Sequence, residues 1–227
     1  VLSSMPLHLL QVMQPPKAVS VSLGRICNAF LWDHSMTEKR VHWAAWEKVC
    51  FPVGEGGLGF RSFEDMIKAF SCKLWWKLRQ KDSAWAEFMH YKYIRGVHPA
   101  LVDVGRPPPT WRRLADIREY AEGRIRWCLG EGLVDFWQDR WCTDLPLAKL
   151  LDAAYRPTVL VGELYLCDGW DTARLRQWLP ETLVSQVRQQ QIFPHLKYQM
   201  VWEGSASGVF TVSTAVEGLR QKGISSM

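Results

Sequence analysis

The sequence lacks most of the features that announce a function. Its 227 residues contain no run of about 18 apolar residues, so no membrane-spanning helix can be read from it. No charged segment followed by an apolar stretch opens it, so no secretion signal is read either. Its six cysteines, at 27, 50, 72, 128, 142 and 167, include no C-x-x-C pair, and its six histidines are scattered. Zinc needs four converging ligands, usually in closely spaced pairs, so no metal centre is expected. The thiols read as reduced, mostly buried side chains of an intracellular protein, nuclear or cytoplasmic. The Y/F-x-D-D turn of template-copying polymerases is absent, and such enzymes need paired carboxylates to hold two metal ions. Asp135 and Asp139 flank Trp137, but in a strand-like stretch their side chains need not converge. Gly56-Gly57-Leu58-Gly59 lacks the Lys-Ser/Thr of a P-loop and the spacing of a dinucleotide fingerprint, so it reads as a turn. No enzyme activity and no cofactor are expected of this chain. Its first residue, Val1, suits a piece of a longer reading frame.

What is present is apolar, rich in tryptophan and unevenly basic. Apolar residues make up 48% of the chain, enough to bury a core. Thirteen tryptophans suit either a core or a stacking surface, and composition does not choose between them. The net charge of +5 is concentrated: residues 61–126 carry 14 Lys and Arg against 8 Asp and Glu, while the flanking thirds are nearly balanced. Clustered cations suit a polyanion, whose phosphate contacts release counterions, and they equally suit a solvated helical face.

The pattern along the chain is helical first and mixed later. Met5 to Met13 reads as a short helix broken by Pro15-Pro16. Lys17 to Trp32 repeats apolar residues at helical spacing, and Val41 to Val49 is a second amphipathic stretch. Ser62 with Asp65 three residues on resembles a capping box, opening a helix to about Gln80. A further helix is expected from Ala84 to about Ile94, ending near Gly96. The Pro/Gly-rich stretch 101–110 reads as a linker, and Trp111 to Ala121 as a helix. Two β-hairpins are then expected: Arg124–Leu129 with Leu133–Trp137 around Gly130-Glu131-Gly132, and Tyr198–Glu203 with Val209–Val212 around Gly204 to Gly208. Between them Thr182 to Ile192 reads as a helix, and Ser213 as the cap of a last one toward Arg220. The expected class is therefore α+β, mainly α with small hairpins. A helical region spans 1–100, the linker 101–110 and a mixed region 111–227.

Lys73, Lys77 and Lys81 recur every fourth residue on the helix after Ser62 and so share a face, with Trp76 and Gln80 beside it. A basic ridge next to aromatics suits a nucleic-acid backbone. It also suits lysines reaching into solvent above a core tryptophan. Arg112 and Arg113, at the start of a later helix, are a second pair of candidates.

Several of these pieces occur in one order. Phe30-Leu31-Trp32, His42-Trp43 and Trp46, Cys50-Phe51-Pro52, and Gly56-Gly57-Leu58-Gly59-Phe60-Arg61 are followed by Lys73-Leu74-Trp75-Trp76. Next come Trp127 to Gly132, then Phe136-Trp137-Gln138-Asp139-Arg140-Trp141, then Val201-Trp202-Glu203 with Ser207 to Val212. This ordered set resembles the region that follows the catalytic palm in plant LINE-type (non-LTR) retrotransposon reverse transcriptases. The resemblance implies a helical thumb that grips template–primer, then a connector leading to a zinc-binding segment. It implies non-specific contact with RNA–DNA or DNA duplex through Lys73, Lys77, Lys81, Arg112 and Arg113. It also implies a palm domain as the partner within the parent protein, no membrane, and no polymerase activity in this part. The alternative is a structural remnant of a truncated element with no binding of its own. Tyr198 departs from the family pattern, which usually has Asp there, and the ending Ile224 to Met227 departs as well.

Overall fold

Prolines and hydroxyl side chains mark the start of most of the described helices. The computed structural model describes residues 7–33, 41–130, 134–151, 158–166, 169–193 and 195–220. Helix α1 (Leu7–Val12) stops short of Pro15-Pro16, and α2 (Lys17–Trp32) starts directly after Pro16. A single turn, α3 (Trp46–Val49), leads to α4 (Phe63–Gln80), where the Ser62 hydroxyl accepts the Asp65 amide at 3.0 Å. Helix α5 (Ala84–Met89) is capped by Ser83 and widens into a π-helical turn over His90–Ile94. Helix α6 (Pro109–Glu122) precedes strand β1 (Ile125–Cys128) and the short α7 (Leu147–Leu150). A small hairpin pairs β2 (Tyr165–Leu166) with β3 (Gly169–Trp170). Helices α8 (Thr172–Trp178) and α9 (Glu181–Arg188), strand β4 (Gln199–Trp202) and α10 (Val212–Leu219) complete the order. The class is α+β, mainly helical with short antiparallel strand pairs. The cap of α10 is Thr211 rather than Ser213: the Thr211 hydroxyl accepts the Thr214 amide at 3.1 Å from an extended backbone. Helix α9 ends at Arg188, four residues before the expected end.

The strands pair differently from the two hairpins expected. β1 pairs antiparallel with β4, setting Ile125 opposite Trp202 and Cys128 opposite Gln199. The first half of one expected hairpin has thus joined the first half of the other. The second arm of the first hairpin goes elsewhere: Phe136 donates to the Val159 carbonyl at 3.0 Å and Val161 to that of Val134 at 2.9 Å. Burial decides this. Ile125 and Trp127 on β1 and Trp202 on β4 are buried, and the pairing puts them together. Gly130 helps by close approach rather than by turning, since a Cβ there would lie 2.3 Å from the Leu196 carbonyl oxygen. Residues 131–133 of that expected turn lie outside the described residues, as do Cys167 and the ending at 224–227.

The chain forms two compact units. The first comprises Val1–Lys77, Gly105–Ile117 and Phe210–Met227, and the second Leu78–Val104 and Arg118–Val209. In the first unit the buried stripe of α4 (Phe63, Met66, Ile67, Phe70) is accompanied by Trp111, Leu114, Ala215 and Val216. The glycine loop closes on its own start. Leu58 donates to the Val49 carbonyl and Gly59 to that of Phe51, both at 2.9 Å, and Arg220 donates to Cys50 and Phe60. A Cβ on Gly57 would sit 2.0 Å from the Phe51 oxygen, so the G-G-L-G motif is a structural turn.

The second unit is built around aromatics. Phe136 stands perpendicular to Trp137 with centroids 4.9 Å apart, and Trp141 stacks on Trp170 at 5.6 Å. The Trp141 indole N–H donates to the Phe136 carbonyl at 3.0 Å. Across both units, six of the thirteen tryptophans are core, 5% exposed or less, whereas Trp43 is 83% exposed.

Candidate nucleic-acid interface

Helix α4 buries one stripe together with Asp65 and Arg79 and leaves Glu64, Lys68 and Lys77 exposed. Lys68 is held by Glu64 one turn earlier at 3.0 Å. Lys73 is half-buried and Lys77 exposed, and neither forms an ion pair with a described residue. A ridge with uncommitted ammonium groups is what a phosphate backbone would need. Trp76 beside them is not a free stacking surface, because one face lies against Phe210 with centroids 5.5 Å apart and planes at 21°.

Lys81 does not continue this ridge. It follows the last helical residue, Gln80, with a left-handed φ of 55°, so the four-residue spacing stops at Lys77. It lines a groove of about 1050 Å³ in the second unit, together with Tyr91, Lys92 and Arg95. Lys92 and Arg95 are cations that sequence reasoning missed. The available signal was local: a Lys and an Arg three apart, directly before Gly96.

Arg112 and Arg113 separate completely. Arg112 is exposed in the first turn of α6. Arg113 is 3% exposed, which withdraws it as a phosphate ligand. Its guanidinium donates to the Ser71 hydroxyl at 2.8 Å, the Leu10 carbonyl at 2.9 Å, and the Gln11 and Ile67 carbonyls at 3.3 Å. Burial pushes its pKa below the usual arginine value. Its position one turn before the buried Ile117 was the sign of an inward face.

The W-x-D-x-W segment carries charges of a different kind. Asp139 is 4% exposed and accepts hydrogen bonds from Arg79 and from the His98 ring, the latter at 3.0 Å. Arg79 also reaches Glu122 at 3.0 Å and lies 5.1 Å over the Trp127 ring. Burial alone would raise the Asp139 carboxyl, but the Arg79 charge and the His98 contact outweigh it and hold the group below the ordinary carboxylate range. Asp135 accepts the amides of Trp137 and Gln138 at 2.9 and 2.7 Å, and its own amide donates to Asp139 at 2.9 Å. Burial raises the Asp135 carboxyl. Both carboxylates are therefore spent on holding the loop. Among the described residues no three His, Cys, Asp or Glu side chains are grouped to hold a metal ion, and no helix is long and apolar enough to cross a membrane.

Two curated plant proteins are similar to this chain. One, of Arabidopsis thaliana, is named "Putative ribonuclease H protein At1g65750" and is 32% identical over 232 residues, which cover 96% of this chain and 37% of that protein. The other, also of Arabidopsis thaliana, is named "Uncharacterized mitochondrial protein AtMg00310" and is 25% identical over 152 residues, covering 65% of this chain and 99% of that protein. The chain thus spans a little over a third of the first relative's length. No family model matches it, and no solved structure matches it.

Proposed function

We propose that this chain is a non-catalytic, nucleic-acid-binding part of a plant retrotransposon-derived reverse transcriptase, corresponding to the thumb and connector beyond the palm. Two plant relatives, one of them named a ribonuclease H protein, support a retroelement origin. The ordered motifs support the finer placement. The observation that carries the binding role is the pair Lys73 and Lys77, one turn apart on α4 and without counter-ions among the described residues. Arg112 is a further candidate contact. Such a surface grips phosphates and reads no sequence. The partner is RNA–DNA or DNA duplex, inside a cell, with the palm of the parent protein alongside. A gel-shift titration at two salt concentrations tests this: binding at low salt that weakens steeply with added salt is expected, and no binding even at low salt sinks the reading.

On this reading the chain performs neither polymerisation nor the hydrolysis suggested by the first relative's name. Both need clustered carboxylates around metal ions, and Asp135 and Asp139 are committed to Arg79, His98 and backbone amides. Incubation of the protein and magnesium with a primed template and with an RNA–DNA hybrid should give no extension and no cleavage. Activity in either assay that follows the protein through purification contradicts this.

One observation favours the second reading, a structural remnant without binding. Apolar side chains stand exposed on α1 and α2, including Val12 at 82% and Phe30 at 74%. A surface of this kind belongs to a lost partner domain or leads to self-association. A protein that elutes as mixed aggregates and binds no nucleic acid would decide for that reading.

A further inference from the structure

Beyond the α4 ridge, the second unit holds a groove with its own equipment. It measures about 1050 Å³, at the upper end of or above the roughly 300–1,000 Å³ of small-molecule pockets. Its lining includes Lys81, Lys92 and Arg95 against Glu87 and Asp135. Three cations there face two carboxylates, one of which, Asp135, is held through Oδ1 by two backbone amides, so the groove offers a ligand a small positive surplus. Tyr91 lines the same groove and is 86% exposed, an unusual exposure for an aromatic ring that has a core available to it. The backbone explains the exposure. Arg95 donates to the His90 carbonyl at 2.9 Å, five residues back, and this wide turn keeps Ile94 inward at 3% exposure while Tyr91 faces out. Widened turns of this type often mark functional sites. The Lys92 ammonium lies 5.4 Å from the Phe88 ring and 5.3 Å from the Tyr93 ring, within cation–π range of both. Trp137 in the wall is 2% exposed, and its buried indole N–H has no acceptor among the described residues.

We propose that this groove binds single-stranded nucleic acid, with a base stacked on Tyr91 and phosphates on Lys81, Lys92 and Arg95. An exposed ring beside spaced cations suits an unpaired base, because a duplex keeps its base faces covered. The proposal deepens the nucleic-acid reading but stands on different residues from the α4 ridge, so the two can fail separately.

The test is fluorescence anisotropy with a labelled mixed-sequence single-stranded oligonucleotide and the matching duplex, using the full chain. Tyr91→Ala and the pair Lys92→Glu/Arg95→Asn serve as groove variants, asparagine being tolerated at the left-handed φ of 49° of Arg95. Lys73→Glu/Lys77→Glu serves as the ridge variant, and thermal melting checks that each variant is folded. Tyr91→Ala should weaken single-strand binding on the order of ten-fold and leave duplex binding unchanged. The ridge variant should show the reverse. Loss of duplex binding alone would remove the ridge and spare the groove. The groove proposal is overturned if folded Tyr91→Ala and Lys92→Glu/Arg95→Asn proteins hold the single strand as tightly as the parent, or if they lose the duplex to the same extent.

Discussion

Arg112 and Arg113 are neighbours in sequence with opposite fates, and the difference is one of helix geometry. Arg113 shares its face with Ile117 and is drawn inward, where it satisfies the carbonyls of Leu10 and Gln11 near the end of α1 and that of Ile67 in α4. The bonds to Leu10 and to Ser71 are buried, so Arg113→Met, which removes their donor, should cost about 2–3 kcal/mol of stability. Duplex affinity should stay unchanged; weakened binding with an unaltered melting temperature would restore Arg113 as a ligand. Asp139 offers a test with a pH axis. A carboxyl more acidic in the folded chain than in the unfolded one contributes stability that is complete above its unfolded pKa, about 3.9, and is lost as pH falls through its lower folded value. Stability should therefore decline below about pH 4. Asp139→Asn should remove this group's share of that decline and lower stability at neutral pH by about 3 kcal/mol, since Arg79 keeps only Glu122. Denaturant titrations across pH check it, and an unchanged acid limb in the variant would contradict the assignment.

Among the elements, helices were legible in the sequence and strand partners were not. Ser62, Pro15-Pro16 and the apolar stripe of α4 act within a few residues, so punctuation and spacing located α2, α4, α5 and α6 to within a few positions. The hairpins misled because a glycine-rich stretch between two apolar runs has two uses. Gly130 serves for contact with the backbone of Leu196 to Tyr198, and pairing followed burial of Ile125, Trp127 and Trp202 across a long loop. Closing a longer loop adds little entropy cost, so burial outweighs proximity. The departure at Tyr198 has a local consequence here: its ring lies 5.3 Å from that of Trp127. Gly130→Ala should destabilise the β1–β4 pair by at least about 2 kcal/mol, because a methyl group cannot occupy a site 2.3 Å from a carbonyl oxygen. Backbone hydrogen exchange over residues 125–128 and 199–202 reads this directly, and unchanged protection would refute the close approach.

For the whole molecule, the sequence indicated a basic middle third but not how the fold divides it. Of the five candidate cations, Lys73, Lys77 and Arg112 belong to the first unit with free or partly free side chains, Lys81 lines a groove in the second, and Arg113 is interior. Spacing by four predicts a shared face only while the helix lasts, and α4 ends at Gln80. Lys92 and Arg95 were missed because their arrangement depends on the wide turn at His90–Ile94. We propose that cations on α4 grip phosphates. The most direct measurement is the slope of log affinity for duplex against log salt, for the parent and for Lys73→Gln/Lys77→Gln. A steep slope is expected for the parent, made shallower by about two in the double variant. A parent that binds with no salt dependence, or a double variant with the parent's slope and affinity, would contradict it.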